Sequence, residues 1–223
     1  MAKTDYNDID IMMNVLVKRT EELVNDAYRC HKEEDPKGTS NITSLVFPKY
    51  SADEDESQDK QKKKNKTRIS EQELRFAFVQ AFHEYKCTHN CNYQYGVEVP
   101  TKDKYLFTKV EKDGNGEDKR RYEPEINKEK GRSGSFDMVI YNEKLERVCL
   151  IEFKYGNPEK GSFAKDFLKL ANQKEGKEGT KCYFIHLTKD KANNEEKLRS
   201  DIQKLLTIGI EKIIYKSVIL ISK

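Results

Sequence analysis

The sequence predicts an α/β protein in which a mixed β-sheet is flanked by helices. From Ser70 onward, runs with the apolar spacing of strands alternate with runs that have the apolar spacing of helices. The strand-like runs are residues 93–100, 135–141, 147–155, 182–187 and 213–222, and the helix-like runs are residues 70–85, 163–173 and about 194–206. The order is therefore α-β-β-β-α-β followed by one more helix and strand, which is typical of mixed sheets with helices on both faces.

The start of the first helix in this series is marked by a capping box. Ser70 has the residue type of a helix N-cap, and Glu73 stands three residues later, so each side chain can bond the other's backbone amide. Ile69 precedes the cap and Leu74 follows it, which is the spacing of a hydrophobic staple. We therefore expect a well-defined helix that begins directly after Ser70.

The chain ahead of this helix divides into two segments. Residues 1–35 contain an amphipathic helix, predicted over residues 8–32, whose apolar stripe is compatible with packing on the domain or on a partner chain, including a homodimer. Residues 36–68 are predicted to be a charged linker or mobile loop, because an acidic block and a lysine run there leave little apolar surface to bury. Residues 69–223 form the predicted domain, with a charged insertion at about 102–132 that we expect to be a hairpin or a loop.

Composition excludes several classes of protein. Hydrophobic residues make up 35% and charged residues 36% of the chain, and the apolar runs fall short of the roughly 18 to 20 residues of a membrane helix. The first residues are polar, so we expect a cytoplasmic protein without an export signal or a membrane partner. The net charge of +3 neither requires nor excludes a nucleic acid partner.

The cysteines are expected to be reduced thiols, since the chain has five of them. Four residues of zinc-binding type lie within one short segment, namely His83, Cys87, His89 and Cys91. Structural zinc sites usually combine two ligand pairs from separate segments. No second pair follows here, so loop residues are favoured over a zinc site.

Three charged residues interrupt the two most apolar strands. Asp137 lies in the first strand, Glu152 and Lys154 lie in the second, and a short polar link joins the strands. Because side chains alternate along a strand, a hairpin can place all three on one side of the sheet. Charges in such apolar strands are costly to bury unless they are paired or hold a metal. A structural ion pair between Lys154 and a carboxylate is one interpretation.

A catalytic metal site is the other interpretation. Two carboxylates supply the hard oxygen ligands that Mg²⁺ or Mn²⁺ prefers. Such a metal can bind a phosphodiester oxygen and lower the pKa of an attacking water. Lys154 can orient or activate that water and offset the charge of the phosphate.

A strand Asp, a hairpin and Glu-x-Lys on the next strand resemble the core of the PD-(D/E)XK nucleases, the restriction endonuclease-like superfamily. Asp137, Glu152 and Lys154 match its motif, although Phe136 stands where a proline often precedes the Asp. The superfamily includes type II restriction enzymes, Holliday-junction resolvases, and defence and repair nucleases. The resemblance implies an αβββαβ core, a DNA partner, Mg²⁺ or Mn²⁺, endonuclease activity and no organic cofactor.

Many members of this superfamily add a glutamate from the first helix. A helical wheel puts Glu71 nearer to the buried face than Glu73, which the capping box already uses, so Glu71 is favoured over Glu73. Three basic residues are candidates for contacts to the DNA backbone, with a solvated surface as the alternative for each: Arg132, Lys165 and Lys169. A nucleic-acid or protein binding module without catalysis, on the same fold, is the second functional hypothesis.

Overall fold

The fold is described from a computed structural model that covers residues 6–32, 42–47, 49–51, 65–67, 69–107, 109–112, 118–121, 124–156, 160–189, 195–206 and 208–221. The helices are α1 (Tyr6–Lys32), α2 (Glu71–His89), α3 (Lys160–Ala171) and α4 (Glu195–Gln203), with a 3-10 turn at Gln173–Glu175. The strands are β1 (Lys49–Ser51), β2 (Asn65–Thr67), β3 (Gln94–Leu106), β4 (Lys109–Lys112), β5 (Asp118–Arg121), β6 (Glu125–Ile126), β7 (Arg132–Tyr141), β8 (Arg147–Tyr155), β9 (Lys181–Thr188) and β10 (Ile213–Ile219).

A six-stranded mixed sheet with the order β10-β9-β8-β7-β3-β6 forms the centre of the molecule. The strands β3, β7 and β8 are antiparallel neighbours, whereas β8, β9 and β10 run parallel. Parallel neighbours require crossover connections, and α3 and α4 lie in these two connections along the chain. The predicted class, an α/β fold with a mixed sheet flanked by helices, is confirmed.

Two apolar clusters cover the two faces of the sheet. One combines the buried sides of α1 and α2 with strand residues such as Ile151 and Phe153. The other combines α3 and α4 with residues such as Val139, Leu150 and Phe184. The alternation of Leu150, Ile151 and Phe153 between the clusters follows from the two-residue period of a strand.

The apolar stripe of α1 packs on the chain's own core. Ile9, Met12 and Leu16 are fully buried in the same cluster as Phe78 of α2, so the stripe needs no partner chain to be covered. Residues 42–47, within the predicted linker, also lie against the helices: Phe47 is fully buried there. None of the described helices is both long enough and apolar enough to cross a membrane.

The predicted strand at residues 93–100 continues to Leu106, beyond a register shift. There the amides of Lys102 and Asp103 donate to the Glu175 carboxylate at 2.7 and 3.0 Å, and the Tyr105 hydroxyl donates to it at 2.6 Å. Glu175 is fully buried in the 3-10 turn that follows α3. It therefore ties the C-terminal end of α3 to β3.

The charged insertion contains a hairpin. The strands β4 and β5 pair from Lys109 opposite Arg121 to Lys112 opposite Asp118. The turn signal at residues 113–116 lies outside the described residues.

Candidate active site

The residues of the predicted motif lie where β7 and β8 separate. The paired register of these strands ends at Met138 opposite Ile151. Continued by one residue, it sets Asp137 across from Glu152. In place of a backbone bond, Oδ2 of Asp137 accepts the amide of Phe153 at 2.7 Å. The Asp137 side chain thus bridges the two strands at their point of separation.

Lys154 lies two residues beyond Glu152, on the same side of β8, and is largely buried. Its Nζ is 2.9 Å from Asp166 Oδ2 on α3 and 3.3 Å from Glu71 Oε1 on α2. Burial alone would lower the pKa of Lys154, but the Asp166 and Glu71 carboxylates outweigh burial and raise that pKa above its usual value. Lys154 is therefore a cation at neutral pH, suited to hold an anion or a water rather than to remove a proton.

A second lysine, Lys169 of α3, lies inside the site. Only 3% of this residue is exposed. Its Nζ is 2.5 Å from Glu152 Oε1 and 3.1 Å from Asp166 Oδ1, and it donates to the Ser135 carbonyl at 2.7 Å. Lys169 thus faces the carboxylates. A contact to the DNA backbone would require its side chain to be at the surface, and it is not.

The electrostatics at Glu152 are dominated by burial. Burial raises the pKa of Glu152 well above its usual value, the Asp166 and Asp137 carboxylates raise it further, and Lys169 opposes the shift. Both Glu152 Oε1 and Asp166 Oδ2 are buried without a well-directed hydrogen bond, although each lies within ion-pair distance of a lysine. Each of these two oxygens thus faces a lysine ammonium.

The two first-turn acids of α2 have different roles. Glu73 completes the capping box, since its Oε2 accepts the Ser70 amide at 2.8 Å. Glu71 faces Lys154 instead. Burial raises the pKa of Glu71; the Lys154 ammonium opposes this shift and the Asp137 carboxylate adds to it. Glu71 is thus the first-turn acid that reaches the charged cluster.

Arg75, one helical turn after Glu71, closes the other side of the site. Its Nη2 donates to Asp137 Oδ1 and its Nη1 to Glu98 Oε1, both at 2.6 Å. Glu98 also accepts the Ser135 hydroxyl at 2.9 Å. Both carboxylate oxygens of Asp137 therefore have a donor in this structure.

The two remaining predicted DNA contacts lie outside the charged cluster. Lys165 is exposed, and its Nζ is 4.9 Å from the centre of the Phe107 ring. Arg132 is exposed at the start of β7, opposite Tyr105 of β3. Their positions leave both side chains accessible to a large ligand.

Sequence reasoning missed three residues of the site, although one signal was present. Asp166 shares the helical face of Phe163, Phe167 and Leu170, which are all buried. A carboxylate on the apolar face of a helix indicates a buried partner. Arg75 and Glu98 gave no comparable signal, because a charged residue on a half-exposed helix or strand is most often solvated.

Three of the four residues weighed as zinc ligands lie in a helix, and only Cys91 lies in the loop between α2 and β3. His83, Cys87 and His89 lie in α2; His83 Nε2 is 3.2 Å from the Tyr95 hydroxyl, and His89 stacks on Tyr85. In the part of the chain that the structure describes, no group of three or more His, Cys, Asp or Glu side chains is arranged so that it could hold a metal ion.

No family model, curated protein or solved structure matches this chain. We therefore infer function from the geometry and charge of the site.

Proposed function

We propose that this chain is a Mg²⁺- or Mn²⁺-dependent nuclease that hydrolyses DNA phosphodiester bonds, on a restriction endonuclease-like PD-(D/E)XK core. The observation that carries the proposal is the convergence of Asp137, Glu152 and Lys154 at the separation of β7 and β8. The order α2, β3, β7, β8, α3, β9 is compatible with the αβββαβ core of that superfamily.

The charge of the site supports a divalent cation. Ion pairs connect five carboxylates and three cationic side chains, which leaves a net charge of −2 when all are ionised. The carboxylates are Glu71, Glu98, Asp137, Glu152 and Asp166, and the cations are Arg75, Lys154 and Lys169. A divalent ion would balance this excess, and Glu152 Oε1, which is buried without a well-directed hydrogen bond, is a hard oxygen of the kind that such an ion prefers.

Asp137 and Glu152 would hold the metal. When bound, it would supply Lewis-acid stabilisation of the phosphodiester and a bound water of lowered pKa. Lys154, a cation held between Asp166 and Glu71, would orient the phosphate or the water from the side of α3. Asp166 would act as a positioning residue, because it fixes the Lys154 ammonium without reaching the solvent. Arg132 and Lys165 remain candidates for backbone contacts outside the cluster.

The test is metal-dependent cleavage by the purified protein. Plasmid, linear, single-stranded and branched DNA would be incubated with Mg²⁺, Mn²⁺ or EDTA, and products resolved on gels. We expect cleavage with metal, none with EDTA, and none from Asp137→Asn. The matched control is Asp10→Asn, which removes a carboxylate of α1 that is ion-paired to Lys181 at 2.6 Å, away from this site. Failure of all four substrates to be cut would reject the proposal.

The second candidate is a binding module without catalysis. The ion pair between Arg75 and Asp137 favours it, because a permanently engaged Asp137 has no need of a metal. This candidate predicts that neither the wild type nor Asp137→Ala cleaves DNA. It also predicts that the two proteins bind DNA with equal affinity, as measured by fluorescence anisotropy.

A further inference from the structure

Arg75 donates a hydrogen bond to Asp137 Oδ1, an oxygen that the proposed metal would need as a ligand. Its guanidinium spans two carboxylates, with 2.6 Å contacts to Asp137 Oδ1 and to Glu98 Oε1. The Arg75 side chain is 18% exposed and that of its partner Glu98 is 56% exposed, so this pair lies on the solvent-accessible side of the charged cluster, which we call the site opening. Its Nε is buried without a hydrogen-bond partner. The forked guanidinium can hold both carboxylates at once, which a lysine ammonium does less well.

Glu98 is held in position by an unusual backbone. Its φ is +50°, a left-handed conformation that is uncommon for a residue with a side chain. Glu98 lies between Val97, opposite Met138, and Val99, opposite Phe136. Strained backbone of this kind is found preferentially at functional sites. This backbone conformation directs the Glu98 carboxylate toward Arg75, and a hydrogen bond from the Ser135 hydroxyl holds the carboxylate there.

We propose that Arg75 is an exchangeable cation: it neutralises Asp137 while no metal is bound, and a divalent metal displaces it from Asp137 toward a phosphate of the substrate. Glu98 retains the guanidinium at the site opening during this exchange. The inference rests on the proposed function, because it takes the metal to bind at Asp137 and the substrate to be a phosphodiester.

The exchange follows from charge and geometry. A guanidinium and a divalent cation that share one carboxylate oxygen repel each other, so the metal competes with Arg75. Release from Asp137 frees Nη2 to donate a charge-assisted hydrogen bond to a phosphate oxygen, while Nη1 stays on Glu98. Arg75 would therefore lower the affinity for metal alone and raise the affinity for DNA once metal is present.

The first measurement is Mn²⁺ affinity by isothermal titration calorimetry without DNA. The variants are Arg75→Gln and the matched control Arg19→Gln. Arg19 of α1 pairs with Glu84 of α2 at 2.6 Å, so the control also removes an ion-paired arginine, but one outside the site. We expect the apparent Kd to be about tenfold tighter in Arg75→Gln, the order of one charged hydrogen bond, and unchanged in Arg19→Gln. If Arg75→Gln does not fold, Arg75→Lys replaces it, with a smaller tightening expected because a point cation cannot span both carboxylates.

The second measurement is DNA affinity by fluorescence anisotropy with Ca²⁺, which takes the same oxygen ligands. Arg75→Gln is expected to bind several-fold more weakly than Arg19→Gln. Equal or weaker Mn²⁺ affinity in Arg75→Gln overturns the exchange. If Mn²⁺ binds the wild type and Asp137→Asn equally, the metal site of the proposed function is wrong as well. If Mn²⁺ binding depends on Asp137 but not on Arg75, only the exchange is wrong.

Discussion

Replacing Lys169 by methionine is the sharpest test of how the site is held together. The substitution keeps an unbranched side chain and removes the ammonium that lies 2.5 Å from Glu152 and 3.1 Å from Asp166. Both carboxylate side chains are at most 5% exposed. Breaking a buried ion pair by removing one partner costs roughly 3–5 kcal/mol. Because a domain is stabilised by about 5–15 kcal/mol in total, Lys169→Met should lose a large share of its free energy of unfolding.

The loss should depend on pH. Lys169 opposes the upward shift of the Glu152 pKa, so its removal raises that pKa further in the folded state. An acid whose folded pKa is raised destabilises the fold increasingly as pH rises above its unfolded value of about 4.5. The wild type shares this loss up to its own raised folded-state pKa of Glu152, and the variant continues to lose stability beyond it. Lys169→Met should therefore be closer to wild type at pH 5 than at pH 7.5, and the double variant with Glu152→Gln should recover much of the loss.

The assay is urea unfolding followed by far-ultraviolet circular dichroism at both pH values. Lys165→Met is the matched control, because Lys165 is an exposed lysine of the same helix, and it should change stability by less than about 1 kcal/mol. Two results would refute the reasoning: equal stability of the Lys169 and Lys165 variants at pH 7.5, or no recovery in the double variant.

Three further predictions concern the surroundings of the site. Ser70→Ala removes the N-cap of the helix that carries Glu71, and should lower the free energy of unfolding by about 1 kcal/mol in the same urea assay. Burial lowers the pKa of His186, and a hydrogen bond to the Gly156 carbonyl offsets this shift only partly. The free energy of unfolding should therefore fall as pH drops below about 6.5, because the unfolded state binds the proton more tightly. His186→Gln should flatten this part of the stability–pH curve. Leu145 has φ of +57° and is 65% exposed in the turn between β7 and β8, so Leu145→Gly should leave stability unchanged or raise it by up to about 1 kcal/mol, measured as a shift in Tm.

The features that sequence could predict are those set by neighbouring residues. The capping of α2 by Ser70 depends on residues within one turn, and the structure confirms it. The alternation that puts Glu152 and Lys154 on one side of β8 depends only on the two-residue period of a strand. The α/β class follows from the order of such local patterns.

Such local patterns do not predict which side chains of different helices and strands contact one another. Lys169 has the sequence environment of a surface lysine, yet the way α3 lies over β8 places its ammonium on Glu152. Arg75 reaches Asp137 because α2 meets the separated ends of β7 and β8, and the sequence does not specify that approach. These two ion pairs join residues that are 17 and 62 positions apart, so their partners depend on tertiary packing.

Charge balance bears on both interpretations of the motif, a structural ion pair and a metal site. A purely structural cluster is most stable when each buried charge has a partner, since an uncompensated charge is strongly destabilising. Here the three least exposed carboxylates, Asp137, Glu152 and Asp166, are matched in number by Arg75, Lys154 and Lys169. The two further carboxylates, Glu71 and Glu98, have side chains that are 37% and 56% exposed. The surplus negative charge therefore lies on the solvent-accessible side of the cluster, where it costs the fold little, and this is the side from which the divalent cation of the proposed nuclease would approach.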